Sequence, residues 1–446
     1  MGDLVLDLDL DLRIRNVYVV GNHRTRDQVI ENQFKDALEA STLRGVLSGL
    51  KAGTENLRSL DIFSTINVKL EAVDDSEDET DVTLQLQEKG WITTQFGVNV
   101  NDQEQPAAEG TITLRNRFGY GERINGGWSS SPLRGHQDKF IRMVRRRVMG
   151  TGIDVELEGK IAMIDMEQRS SCTETLHGVR AQAFTYSEGG DARHRLTWEV
   201  CHRDTEPIRH SQIPHAFTAS PSIIAESRPS VKGSVAYTYT GDGRDDPIMP
   251  TAGSFFEGSV EGAGVVGDVR FLKGTVEAQK HLPIWRGLSL GLCGFMGAVR
   301  PLGGNQRVRF NDRFFLGGPC TLRGFQSSGV GPRAPREEGE NPNGDALGGD
   351  VTYRASAILG VPFPLLSFPA QSLPAHLHIF ANVGNLTAWE TPIGRYFKDT
   401  RLSVGVGTVW NALGMCRMEV NLAHVIRKAQ NDLTRSFQVG FDFDFR

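Results

Sequence analysis

Residues 437–446, FQVGFDFDFR, carry the reading that decides the fold. Phe437, Val439, Phe441, Phe443 and Phe445 share one side of an extended chain, and Gln438, Gly440, Asp442, Asp444 and Arg446 share the other, because successive side chains of a strand point to opposite faces. The polar side is too charged to pack against a second sheet, and the other side is apolar throughout and aromatic but for Val439. A lipid face opposite a wet interior accounts for both.

Working outward, the same alternation sets Met418, Val420 and Leu422 against Arg417, Glu419 and Asn421. It sets Leu402, Val404, Val406 and Trp410 against Ser403, Gly405 and Gly407, and it is weaker over residues 153–164. From Trp91 onward, segments of about 10 residues alternate between Gly, Pro, Asn and Asp punctuation, with no long amphipathic helix among them. The roughly 350 residues involved hold about 16 to 18 strands with their connections. In lipid every backbone group must pair internally, so such strands must close into a barrel. The fold expected for residues 91–446 is a membrane β-barrel of about 16 antiparallel strands.

Composition removes other classes. The 446 residues carry a net charge of −5, which gives no general attraction to nucleic acid or anionic lipid. No run of about 18 apolar residues marks a transmembrane helix. Cys172, Cys201, Cys293, Cys320 and Cys416 are scattered without a CxxC pair, which argues against a zinc knuckle, a redox dithiol or a dense disulfide framework. The opening MGDLVLDLDLDLRIR lacks a basic segment followed by an apolar core, and it has no transit-peptide composition.

Residues 1–12 read as an extension, and residues 13–90 as a small α/β domain of order β-α-α-β-β. Residues 14–20 (IRNVYVV) are β-rich and end at Gly21 and Asn22. Residues 25–34 begin with an N-cap type residue, Thr25, and place Val29, Ile30 and Phe34 on one helical face. A second helix is expected over 55–60, with Leu57 and Leu60 inward and a turn near Asp61. Strands over 66–73 and 82–87 flank residues 74–81, DDSEDETD, whose six acids in eight residues suit a solvated hairpin loop.

Four stretches resemble one family. Residues 312–325, DRFFLGGPCTLRGF, followed by GVGPR at 329–333, resemble the signature loop of the barrel superfamily that inserts other outer-membrane proteins. That superfamily includes the bacterial BAM core barrel, the core barrel of the mitochondrial sorting and assembly machinery (SAM), and the plastid TOC-type barrels. Its tetrapeptide usually has Val or Ile, then Arg-Gly, then Phe or Tyr. Leu322, Arg323, Gly324 and Phe325 depart from it mildly at the first place. Residues 250–256 (PTAGSFF) with 269–273 (VRFLK) resemble the strand and turn before the loop. Residues 345–362 resemble the strand that leaves it, and residues 116–122 (NRFGYGE) an early hairpin. Residues 13–90 are similar to one POTRA domain, the polypeptide-transport-associated module of these proteins. A single such unit without a secretory signal points to the mitochondrial branch.

The resemblance implies a function. It is insertion and assembly of β-barrel precursors into the mitochondrial outer membrane, with the N-terminal domain in the intermembrane space. No enzyme activity, cofactor or metal is implied. The implied partners are β-barrel precursors, accessory outer-membrane assembly subunits and membrane lipid, and no nucleic acid. The loop near 312–348 is expected to fold back into the barrel, with Gly317 and Gly318 freeing its backbone to turn. Arg323 then needs an acidic or aromatic partner, since an unpaired buried charge is costly; Asp350 and Glu419 are the candidate acids. The terminal strand, with Phe437, Gln438, Gly440, Phe441, Phe443 and Phe445, resembles the β-signal by which outer-membrane barrels are recognised. The first barrel strand, beginning at Trp91, must pair with it. Gly97 and Gly440 weaken packing on the two sides of that seam. A frayed seam exposes N–H and C=O groups, which template an incoming strand. The rivals are a plastid outer-envelope translocation or insertion channel and a passive solute porin.

Other motifs carry less. Residues 287–291, GLSLG, match a nucleophile elbow but lie in an alternating segment without a triad. His376 and His378 share a strand face but lack a third ligand at a telling spacing. Asn385 opens a glycosylation sequon. Arg142, Arg145, Arg146 and Arg147 form a basic stretch that suits a strand end near lipid headgroups or a loop contact better than nucleic acid.

Overall fold

The computed structural model describes residues 10–73, 76, 78–100, 106–131, 136–187, 192–209, 218–285, 287–303, 307–335, 341, 343–362, 375–412 and 416–443. The chain divides into two compact units. One comprises residues 1–99, 106–160 and 180–185, the other residues 100–105, 161–179 and 186–446.

The first unit opens with β1 (Arg13–Val20), α1 (Asp27–Glu31), α2 (Lys35–Leu38), α3 (Leu43–Ser59), β2 (Phe63–Ala72) and β3 (Glu79–Glu88). The strands form a sheet in the order β1-β3-β2, with β1 parallel to β3 and β2 antiparallel to it. Ile30, Phe34, Val46, Leu57, Val82 and Leu84 meet in its buried core.

Two local expectations need correction. Thr25 does not cap α1. Arg26 stands at the cap position with no side-chain cap bond, and the Thr25 hydroxyl donates to Glu88 at 2.6 Å. The helix expected over 55–60 is the end of the 17-residue α3, which is capped by Thr42. Its first turns contain Gly45, Gly49 and Gly53, and glycine costs about 1 kcal/mol in a helix interior. Packing requires two of those glycines. A Cβ on Gly49 would stand 2.5 Å from the Ala37 backbone nitrogen, and one on Gly53 would stand 2.3 Å from the Phe34 ring. The turn near Asp61 is present, with Asp61 at φ 59°. Of the acidic run, Glu79 and Asp81 lie in β3, and residues 74, 75 and 77 lie outside the described residues.

Sixteen strands follow. They are β4 (Ile92–Val100), β5 (Pro106–Arg115), β6 (Glu122–Ser131), β7 (His136–Arg145), β8 (Ile153–Asp165), β9 (Cys172–Tyr186), β10 (Ala192–Pro207), β11 (Ser230–Asp242), β12 (Gly253–Gly267), β13 (Phe271–Trp285), β14 (Leu288–Pro301), β15 (Val351–Pro362), β16 (Ala375–Thr387), β17 (Arg401–Ala412), β18 (Cys416–Arg427) and β19 (Phe437–Phe443). Each neighbours the next in sequence in one 16-stranded sheet that runs from β4 to β19. Among the described residues no helix is long and apolar enough to cross a membrane.

Register keeps the two faces distinct across the second unit. Leu290, Leu359, Ile379, Val406, Leu422 and Phe437 stand side by side across six strands. One residue along, Ser289, Gly360, His378, Gly407, Asn421 and Gln438 form the next row. The first row is apolar, with Phe437 54% exposed; Asn421 and Gln438 in the second are buried. A one-residue slip of any strand would exchange the faces.

Candidate functional site: the signature loop and the last strand

The connection between β14 and β15 folds onto the polar face of the sheet. Its entry is fixed by Asp312, which accepts from the Arg203 guanidinium at 3.0 Å, while the Asp312 carbonyl accepts from Lys273 at 3.1 Å. Phe314, Leu316, Leu322, Phe325 and Val330 then bury themselves with Phe271 and Leu386 of the sheet. The loop therefore has an apolar core of its own, which gives its polar tip a fixed position.

Gly317 and Gly318 turn the chain at φ 118° and 124°, and a Cβ on Gly317 would lie 2.2 Å from the Gln326 carbonyl oxygen. This is the left-handed region that favours glycine. Gly324, at φ 90°, is pressed against β17 and β18, its Cβ position lying 3.1 Å from Val425 and 3.2 Å from both Ala423 and Ser403.

Arg323 forms a planar fork with Glu419 of β18. Nε donates to one carboxylate oxygen at 2.8 Å and Nη2 to the other at 2.8 Å. The two side chains are 5% and 1% exposed. Glu419 also accepts from Arg417 Nε at 2.8 Å and from Asn421 Nδ2 at 3.0 Å. The Phe380 ring lies 5.1 Å from the Arg323 guanidinium, and the Arg323 carbonyl accepts from the Ser403 hydroxyl at 2.6 Å. Charge-assisted bidentate bonds of this kind are about twice as strong as neutral ones.

The last strand holds the same loop. Gln438 Oε1 accepts from the Gly324 amide at 2.6 Å, and its Nε2 donates to the Phe325 carbonyl at 2.7 Å. Gly440 gives room, since a Cβ there would stand 2.7 Å from Pro319 and 2.9 Å from the Cys320 sulfur. Phe437 and Phe441 are exposed on the opposite face. Phe443 pairs with Cys416 in the ladder, and Phe445 lies outside the described residues.

Asp350 is not the partner of Arg323. It precedes β15, and its carboxylate accepts from the Trp389 amide at 3.1 Å, so it caps a turn. Trp91 is half exposed just before β4, with Arg117 5.6 Å from its ring. Nothing lies within 4 Å of a Cβ on Gly97, so close packing does not require glycine there.

Sequence reasoning singled out Arg323, Glu419 and Gln438 but did not place them in one network. The parity of residues 417, 419 and 421 put three donors and acceptors on one face, and that was the available signal. The anchor Asp312–Arg203 had none, because its residues are 109 apart in sequence. His378 spends Nε2 on Asn421 at 2.7 Å. The GLSLG segment runs into β14, where Ser289 pairs with Gly360.

Comparison with known proteins places this architecture. A family model of the Omp85 superfamily domain matches residues 116–445. The SAM50-like protein of Schizosaccharomyces pombe is 30% identical over 458 residues, covering 97% of this chain and 91% of that protein. The sorting and assembly machinery component 50 homolog of Bos taurus is 27% identical, covering 92% of this chain and 85% of that protein. A crystal structure of BamA from Haemophilus ducreyi lacking POTRA domains 1–3 superposes with a TM-score of 0.77 at 17% identity, covering 96% of this chain and 84% of that one. That likeness gives the fold, a membrane β-barrel behind a small α/β domain that fits a POTRA unit. The chain belongs to the Omp85 superfamily and, within it, to the SAM50 family of mitochondrial outer-membrane β-barrels.

Proposed function

We propose that this protein inserts and assembles β-barrel precursors in the mitochondrial outer membrane by strand exchange between β4 and β19. The observation that carries the proposal is the hold of the signature loop on the last strand. Gln438 and Gly440 of β19 are engaged by loop residues on the polar face, while Phe437 and Phe441 present the other face to lipid. A strand fixed through its inward side chains keeps its register while its backbone edge accepts a new partner. Among the described residues β4 and β19 are the two ends of the strand order.

The mechanism involves no bond-making step. A client strand pairs with the free edge, further hairpins add to it, and burial of client apolar surface in lipid drives the product outward. In this reading residues 13–90 form the POTRA-like domain in the intermembrane space, and accessory subunits of the assembly machinery act beside the barrel. The test is precursor assembly in isolated mitochondria carrying Arg323→Ala at matched protein levels. Slowed assembly is expected; wild-type rates would remove the loop from the mechanism.

A further inference from the structure

The basic stretch at the end of β7 meets the small domain within the first unit, and strand exchange makes no use of it. Residues 116–121, between β5 and β6, form a turn in which the Gly119 carbonyl accepts from the Arg26 amide at 3.1 Å. The guanidiniums of Arg26 and Arg145 lie 3.9 and 5.2 Å from the centre of the Tyr120 ring in that turn. Both distances are within cation–π range.

Strand parity sets the level of this cluster. Arg145 ends β7 on the same face as Ile141 and Met143, which are 61% and 37% exposed. Across the ladder Ile124 faces Met143 and Gly126 faces Ile141. Arg145 therefore stands where the apolar, lipid-directed face stops, on the side of the small domain. Phe118 and Met149, in the two turns at that end, are 60% and 71% exposed. Exposed apolar and aromatic side chains beside arginine at a strand end have the composition of a membrane–water interface.

Among the described residues no carboxylate comes within 4.0 Å of the guanidiniums of Arg26, Arg117 or Arg145. Glu122, opposite Arg145 in the ladder, spends its two oxygens on the Phe118 and Tyr120 amides, at 2.5 and 3.0 Å. Two like charges gathered on one ring favour an anion beside them, and the guanidinium fork matches phosphate oxygens. The net charge of −5 makes this a local attraction rather than a general one.

We propose that Arg26 and Arg145, held on Tyr120, bind the headgroup phosphate of an anionic phospholipid in the leaflet that faces the small domain. The lipid would tie the segment before α1 to the end of β7. The proposal rests on the membrane reading of the sheet and is independent of client assembly.

The test uses the full chain in detergent, titrated with phosphatidylglycerol and separately with phosphatidylcholine, with bound lipid counted by native mass spectrometry in the absence of any client. Preferential phosphatidylglycerol binding is expected. Arg26→Gln and Arg145→Gln should each weaken it about fivefold, the fold-change equivalent to about 1 kcal/mol per arginine at an anionic surface. Arg15→Gln removes the same charge from β1 and should leave binding unchanged. Arg26 lies outside the sheet, so its variant stands if Arg145→Gln fails to fold. Unchanged binding in the Arg26 variant, or an equal loss in Arg15→Gln, overturns the proposal. Displacement of phosphatidylglycerol by inorganic phosphate at equal concentration also overturns it, by assigning the site to a free anion.

Discussion

Glu419 holds Arg323, Arg417 and Asn421 on a side chain that is 1% exposed, and the removal of different members has different consequences. Arg323→Ala leaves Arg417 to neutralise the carboxylate, so its cost belongs at the lower end of the about 3–5 kcal/mol for breaking a buried pair. Glu419→Gln leaves two guanidiniums facing each other without a counter-charge and belongs at the upper end of that range. Thermal unfolding of the purified barrel in detergent should rank the variants in that order. Arg323→Lys keeps the charge but loses the planar fork, and it should be intermediate in precursor assembly. The motif made Arg323 and the glycines around it legible in the sequence. The choice between Asp350 and Glu419 was not legible, because hydrophobic periodicity does not encode how far a folded-back loop reaches.

At the scale of elements, strands were easier to read than helices. The alternation around Phe441 and Val406 follows from one face meeting lipid, and any strand in that position must show it. Helix α3 was concealed by Gly45, Gly49 and Gly53; the low helix propensity of Gly49 and Gly53 is overridden by close packing against α2 and Phe34 respectively. This gives a prediction opposite in sign to propensity. Gly49→Ala, expected to gain about 1 kcal/mol in an isolated helix, should instead cost about 1–3 kcal/mol through overpacking. Urea denaturation of a fragment spanning residues 13–90 measures it; a stabilised variant would mean that α2 does not approach α3 so closely. On β19, Phe441→Arg places a charge on the lipid face at a cost of about 2–4 kcal/mol near mid-membrane. Its insertion into liposomes should fall well below that of the unsubstituted barrel.

For the whole molecule, we propose that residues 13–90 fold without the barrel, and acid should expose how their end is secured. Burial raises the Glu88 carboxyl, but hydrogen bonds from Thr25 and Arg24 outweigh it and hold the group below its ordinary value. At Asp61 burial is likewise outweighed, by the Lys89 hydrogen bond and charge and then by Arg115 and Arg123. A depressed carboxyl stabilises the fold above its unfolded value, about pH 4, and loses that contribution as pH falls through the depressed value. The 13–90 fragment lacks Arg115 and Arg123 but keeps Glu88 with Thr25 and Arg24 and Asp61 with Lys89, so it should lose stability between about pH 5 and pH 3. Glu88→Gln should flatten part of that loss, measured by circular dichroism melts across the range. A random-coil spectrum of the fragment at neutral pH would contradict the domain assignment.

The central claim is that β4 and β19 receive the client, and site-specific photo-crosslinking in isolated mitochondria tests it most directly. A photo-reactive residue placed at Phe96 in β4, at Phe441 in β19, or at the lipid-facing Leu196 in β10 is irradiated while a radiolabelled precursor assembles. The account predicts transient adducts from the β4 and β19 positions that disappear as the product matures, with none from β10. Equal crosslinking from all three positions, or none from β4 and β19 while assembly proceeds, would contradict it.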